Sequence, residues 1–218
     1  MGFKRIKRPD HFKTGDELTS DLVSIGFYLG GETSVDANIE DTLVAASIEG
    51  FQEESRRLLS ILAQWLDVHS DRIIVSRLFD LVSELDRSEF LAVRIFWSAN
   101  AQRFIKKDTR FKDLASLYTG KRRNLLALME NRSDESDKGT NMMIREDGED
   151  RRFSDTCLRV PNGFLRERES QVRSPSYLVK NHMPYRYRVQ MGSDYRADLW
   201  AALSCLLYTS PSPRDSCA

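Results

Sequence analysis

The first strong pattern along the chain is helical. Leu58, Ile61, Leu62, Trp65 and Leu66 recur at spacings of three and four, which places them on one face of an α-helix. Ser70 is placed to cap a second helix, in which Ile74, Leu78, Leu81, Val82 and Leu85 repeat that spacing. A third begins at Ser88 with Glu89 in its first turn, and Phe90, Val93, Trp97, Ala101 and Phe104 line its stripe. Asp108 or Thr109 opens a shorter helix carrying Phe111, Leu114 and Tyr118. After Gly120, the residues Leu125, Leu126 and Met129 predict one more. The connections are short, which favours antiparallel neighbours. Residues 39–130 are therefore expected to form an α-helical bundle, with Trp65, Leu78, Leu81 and Trp97 buried on facing helices. No fixed-period repeat is present, which argues against a solenoid.

The flanking segments read differently. Residues 1–38 are expected to be irregular, broken by Gly15, Gly26, Gly30 and Gly31, with the apolar run Leu22 to Leu29 docked on the bundle. Gly30-Gly31 is a turn, because it lacks the further glycines and the Lys-Ser/Thr that cradle phosphate. Residues 131–150 hold few apolar groups to offset the entropy of ordering, and they predict an acidic flexible linker. In residues 151–204, Cys157 to Pro161 reads as extended and Pro161-Asn162-Gly163 as a turn. Leu178 begins a short helix that ends before Pro184, and the alternation Tyr185 to Val189 predicts a short strand. Gly192 breaks it, and Ser193 or Asp194 caps a helix containing Tyr195, Leu199, Trp200 and Leu203. The expected fold class is mainly α: an N-terminal helical bundle, an acidic linker, then a truncated α(+β) module.

Composition narrows the setting. The 33 Lys and Arg balance 33 Asp and Glu, so the chain as a whole is not a polycation. Mean hydropathy is negative. No apolar run approaches the roughly 18–20 residues that cross a membrane, and the basic start Met1 to Arg8 is followed by no apolar signal core. Gly2 is no myristoylation signal, because Ile6 stands where Ser or Thr is required. Apart from Cys205 and Cys217 near the end, Cys157 is alone, which makes neither a disulfide framework nor a zinc site and fits a reducing compartment. These features point to a cytoplasmic protein without a membrane partner, with Cys157 in ordinary packing.

Little chemistry is legible. There is no Ser-His-Asp signature, no nucleophile elbow, no Walker loop and no dinucleotide fingerprint. His11, His69 and His182 have no second ligand three or four residues away, and His69, at a helix junction, reads as a surface or capping residue. Glu53-Glu54 and Asp147-Glu149-Asp150 read as solvated faces. No catalytic, cofactor or metal site is expected, and the chain does not read as an enzyme. A basic cluster is present: Arg103, Lys106, Lys107, Arg110, Lys112, Lys121, Arg122 and Arg123, opposed by Asp108 and Asp113. It could track phosphates or form a solvated helix end that complements the C-terminal dipole. Tyr185-Arg186-Tyr187-Arg188, with Arg166, Arg168 and Arg173 upstream, could stack on nucleic acid or pack with arginine stems over the tyrosines.

Two resemblances bear on the C-terminal part. Cys205 to Asp215, CLLYTSPSPRD, matches residue for residue one translated frame of a transposase-library sequencing adaptor. That match implies that residues 205–218 are technical sequence, unpacked and without regular structure, and that the native chain continues past Ser204. Tyr185 to Leu203, YRYRVQMGSDYRADLWAAL, resembles the lead-in to winged helix-turn-helix domains of prokaryotic regulators, through Arg188, Gly192, Arg196, Ala197, Asp198, Leu199 and Leu203. It implies that Tyr195 to Ser204 is the first, non-reading helix of a DNA-binding module whose recognition helix lies beyond Ser204. The function so implied is a transcriptional regulator or antitoxin-like repressor, with DNA as partner and the bundle serving oligomerisation. The alternative is a helical protein–protein interaction protein with no nucleic-acid role, acting as a homo-oligomer or on another protein.

Overall fold

The computed structural model describes residues 9–134, 137–166, 168 and 171–209, the side chains of 207–209 excepted. Among these residues the chain is mainly helical, with eleven α-helices and one short parallel pair of strands. No helix among them is long and apolar enough to cross a membrane.

The segment expected to be irregular contains α1, Gly15–Ser24. Asp16 and Glu17 suit the positive end of its dipole. Leu18 and Leu22, one turn apart, bury against α2 together with the docked Ile25 and Phe27. α2 spans Ile39–Gln52 and starts at Asn38, whose side chain accepts from the Asp41 amide. It folds back on α3, Arg56–His69, through a tight turn. There Glu54 takes left-handed backbone (φ 49°) and the Ser55 amide donates to the Gly50 carbonyl at 2.8 Å. The two helices touch closely at Gly50, where a Cβ would meet Leu59 at 2.7 Å.

α4, Val75–Glu84, is not capped by Ser70 as expected. Residues Ser70–Arg72 form a 3-10 turn instead, and the Ile74 amide is held by the Glu40 carboxylate of α2 at 2.8 Å. α5, Leu91–Phe104, starts later than Ser88, because Asp86 takes the Ser88 and Glu89 amides in a turn. It is the innermost helix: every residue from Val93 to Ala101 is buried, not one stripe alone. Asp108 caps a 3-10 turn that leads into α6, Lys112–Ala115, and α7 covers Leu125–Met129. Trp65 and Trp97 are buried with their indole N–H groups bonded, to the Ile25 carbonyl at 2.8 Å and to Ser47 Oγ at 2.9 Å. Leu78 is buried too, while Leu81 is half-buried at the edge of the core.

Where an acidic linker is expected, the structure has α8, Lys138–Asp147. Its stability is local: the buried Asp137 accepts from the Thr140 amide at 3.0 Å, and Gly148 (φ 80°) ends the helix. Counting apolar groups overlooked those caps. β1, Arg123–Asn124, pairs in parallel with β2, Leu158–Arg159, in the register Arg123 with Leu158. Gly163 (φ 68°) completes the expected turn after Pro161. α9 is Pro175–Asn181, α10 Met183–Met191 and α11 Tyr195–Thr209.

The expected strand Tyr185 to Val189 is therefore helix. His182 caps α10 by accepting from the Tyr185 amide at 3.1 Å, and His182, Tyr185 and Arg188 are the buried positions, a spacing of three. Residues 205–209, expected to lack regular structure, continue α11, which meets no helix breaker before Pro211. Cys205 and Leu206 are exposed on it, and residues 210–218 lie outside the described part. One cluster of buried apolar side chains runs from Phe12 to Tyr185, so residues 151–185 share the core of the bundle.

Trp97→Ala should lower unfolding free energy by about 3–5 kcal/mol, by lost burial and a residual cavity. Urea denaturation of the variant against the parent checks this, and a near-parental midpoint would contradict the burial described.

Candidate functional site

The most organised polar constellation joins the C-terminal helices to the bundle. Arg188 of α10 and Glu40 of α2 are both 0% exposed. All five guanidinium N–H groups of Arg188 are bonded. Two reach Glu40, at 2.6 and 2.9 Å; two reach Asp198 of α11, at 2.9 and 2.7 Å; one reaches the Arg72 carbonyl at 3.0 Å. Burial works against the charge, but the Glu40 and Asp198 carboxylates outweigh it and hold the guanidinium above its ordinary pKa. Glu40 Oε1 also takes the Ile74 amide, so one carboxylate serves two helices. Arg77 pairs with Asp41 at 2.5 Å nearby. Ser193 Oγ donates to the Asp71 carbonyl at 2.8 Å, fastening the turn before α11 to the same 3-10 segment.

Beside this junction lie two histidines. His69 is not the surface residue expected: it is fully buried, stacked near Trp65 at 4.8 Å between ring centroids. Its Nδ1 meets the Tyr185 hydroxyl at 2.8 Å and its Nε2 the Arg173 carbonyl at 3.0 Å. Burial pushes its pKa down to about 4 and that of Tyr185 up to about 12. His182 is buried likewise, with Nε2 3.2 Å from the Ala37 carbonyl, and burial brings it to about 4. None of these groups lines the two cavities beside residues 147–168 and 56–60. The constellation is a joint.

What the joint presents is the outer face of α11. Ala197 and Ala201 are buried, Asp198 holds Arg188, and Ser204 Oγ meets the Tyr187 hydroxyl at 2.6 Å. The large side chains point the other way: Tyr195 is 52% exposed, Leu199 59%, Trp200 48% and Leu203 40%. Val189 and Met191 of α10 are exposed as well. Arg188 and Asp198 determine which side of this helix faces inward. The sequence signal was the small-residue spacing Ala197, Ala201, Ser204.

The basic cluster does not form a single open patch. Arg103 is nearly buried, paired with Asp67 and lying 4.7 Å over the Phe153 ring. Lys106 pairs with Asp155 at 3.1 Å and Arg110 with Asp108 at 2.7 Å. Arg122 pairs with Glu149 and bonds the Phe153, Thr156 and Leu158 carbonyls. Arg123 pairs with Asp134 at 2.7 Å. Lys107, Lys112 and Lys121 are exposed without a carboxylate partner among the described residues. Asp150, expected on a solvated face, is buried and pairs with Arg152 at 2.6 Å. Arg173 lies 4.0 Å over the Tyr28 ring and 4.7 Å over that of Tyr177. Cys157 is buried, and burial raises its pKa, away from a nucleophilic thiolate.

Compared with protein-family models, curated proteins and solved structures, the chain matches none.

The histidines make the joint sensitive to acid. Folding lowers both from 6.5 to about 4, so their contribution to stability is complete above pH 6.5 and falls as pH drops toward 4. Between pH 7 and 5 the loss should be roughly 2 kcal/mol per histidine. Urea unfolding across that range checks this, with His69→Gln expected to flatten the dependence. Stability that stays level down to pH 5 would contradict it.

Proposed function

We propose that this protein is a helical protein–protein interaction module that pairs with a second copy of itself through the outer face of α11. The observation that carries this reading is the exposed stripe Tyr195, Leu199, Trp200 and Leu203 on a helix that turns its small residues inward. Contiguous apolar surface of this kind marks interfaces, and Tyr and Trp are the side chains that anchor them. No charged residue occurs from Leu199 to Leu206, so the occupant must itself be apolar. Arg196, beside the stripe, is already paired with Asp194 at 2.8 Å. Tyr195, Leu199 and Leu203 are spaced four apart, a row that meets its own copy when two helices cross about a two-fold axis. Zero net charge leaves no overall repulsion between copies.

A second reading is the DNA-binding regulator. It is favoured by the order of parts: α10, Gly192 in left-handed backbone (φ 98°), then a capped α11 carrying Arg196, Ala197 and Asp198. On that reading further helices of the module cover the stripe. We place it second because five of the eight clustered cations are engaged by carboxylates, which leaves little charge to track phosphates.

Sedimentation equilibrium over micromolar concentrations tests the proposal, on the full chain and on one ending at Ser204. A dimer is expected in both, with Leu199→Glu combined with Leu203→Glu yielding a folded monomer of unchanged circular dichroism. A monomer throughout would overturn self-pairing. A folded monomer is what the regulator reading expects, since on it further helices of the module, and not a second copy, cover the stripe.

A further inference from the structure

The turn that follows β2 is built from Pro161, Asn162, Gly163 and Phe164. Pro161 is buried at its start, and the Phe164 amide closes the turn on the Pro161 carbonyl at 3.0 Å. The Asn162 amide donates to the Gly148 carbonyl at 2.9 Å, and the Asp150 amide donates to the Val160 carbonyl at 2.8 Å. On the other side, the Gly163 carbonyl accepts from Arg56 Nη2 at 3.1 Å and from Arg166 Nε at 3.3 Å. Gly163 stands in left-handed backbone (φ 68°), which glycine adopts without strain.

Two groups of this turn are left over. Asn162 and Gly163 are exposed, and among the described residues neither the Asn162 side-chain amide nor the Gly163 N–H has a hydrogen-bond partner. They are adjacent, and no other asparagine of the chain precedes a glycine. Glycine lets its nitrogen reach the side-chain amide carbon of the residue before it, because no Cβ stands in the way. The surroundings are open too: a Cβ at Gly163 would meet nothing within 4 Å. Elsewhere the fold ties such groups down. Asn38 accepts from the Asp41 amide, and Asn100, Asn141 and Asn181 donate to the Phe96, Asp137 and Tyr177 carbonyls. After Asn131, the Arg132 amide is held by the Ala127 carbonyl at 2.7 Å. Asp147-Gly148 is the acidic counterpart and is also exposed, but the Gly148 amide is bonded to the Ile144 carbonyl at 3.0 Å.

We propose that Asn162-Gly163 is a self-modification site, at which the chain converts its own asparagine into aspartate and isoaspartate. The Gly163 nitrogen gives its proton to hydroxide and attacks Cγ of Asn162. The new N–Cγ bond closes a succinimide, and the side-chain nitrogen leaves as ammonia, taking a proton from water. Water then opens the ring. Addition at Cγ breaks the new bond and leaves aspartate. Addition at the backbone carbonyl breaks the original bond to the Gly163 nitrogen and leaves isoaspartate, whose main chain runs through Cβ. Nothing is oxidised or reduced, and water is the only co-reactant. Either product adds a negative charge to the turn. Isoaspartate also lengthens the main chain, which draws the Gly163 carbonyl off Arg56 and loosens the tie between this turn and α3. The site is independent of the α11 face and of the Arg188 joint.

Incubation of the full chain at neutral and at mildly alkaline pH, followed by peptide mapping by mass spectrometry and enzymatic methylation of isoaspartate, tests this. Asn162 should convert in the folded protein, faster at the higher pH, with ammonia released in step. Asn38, Asn100, Asn141 and Asn181 should convert at least about tenfold more slowly, since each must first give up a hydrogen bond. Asn162→Gln, whose ring would have to close through a longer side chain, should stay unmodified. Urea should speed isoaspartate formation at Asp147 about tenfold, by freeing the Gly148 amide, and change the rate at Asn162 far less. The isoaspartate form, separated by chromatography, should unfold at lower urea than Asn162→Asp, which carries the same charge on an ordinary backbone. The proposal is overturned if Asn162 stays intact in the folded protein while it converts in urea, or if the other asparagines convert alongside it. An isoaspartate form as stable as Asn162→Asp would overturn the loosening of the turn.

Discussion

The structure turns on one buried cation. Arg188 is fully enclosed, and an isolated charge in that position would be strongly unfavourable. It is tolerated because its five N–H groups find Glu40, Asp198 and the Arg72 carbonyl, which belong to α2, α11 and the 3-10 turn before α4. Such a group is satisfied in one arrangement only. Sliding α10 by a residue would strand the guanidinium and both carboxylates, and breaking a buried pair of this kind typically costs about 3–5 kcal/mol. The joint therefore specifies position more than it adds stability.

Consequences spread from that position. Glu40 is drawn to the foot of α4, where it takes the Ile74 amide that Ser70 would otherwise have been expected to cap. Asp198 turns α11 so that Ala197 and Ala201 close on α10 and Tyr195, Leu199, Trp200 and Leu203 face outward. Tyr185, one turn before Arg188, enters the bundle and meets His69, while His182 closes the start of the same helix. The apolar outer face is thus held by a polar inner one. At the far end of α3, Arg56 and Gln64 hold the backbone of Phe164 and Arg168 by hydrogen bonds.

Much of the bundle was legible because its helices carry periodic large residues. The stripes through Trp65, Leu78 and Trp97 are buried, since burial of big apolar groups dominates their placement. The linker reading failed at α8, because caps at Asp137 and Gly148 stabilise a helix that composition alone does not reveal. The strand reading failed at Tyr185 to Val189, where alternation of aromatic and basic residues mimics a two-residue period, although Pro184 near the start already favoured a helix. His69 was misplaced for a related reason: its partners, Tyr185 and the Arg173 carbonyl, lie more than a hundred residues away. Pairings across such distances leave no local trace in the sequence. Nor do the two readings of the basic cluster separate until Asp67, Glu149 and Asp155 come alongside it in space.

The central claim is that Arg188 fastens the C-terminal helices to the bundle and sets the face they present. Native-state hydrogen exchange on Arg188→Met, which keeps the side-chain length and removes the charge, tests it most directly. The account predicts faster exchange across Pro175–Asn181, Met183–Met191 and Tyr195–Thr209 and at the Ile74 amide, while Leu91–Phe104 stays protected. Unchanged protection in the C-terminal helices, or an equal loss throughout the molecule, would contradict it.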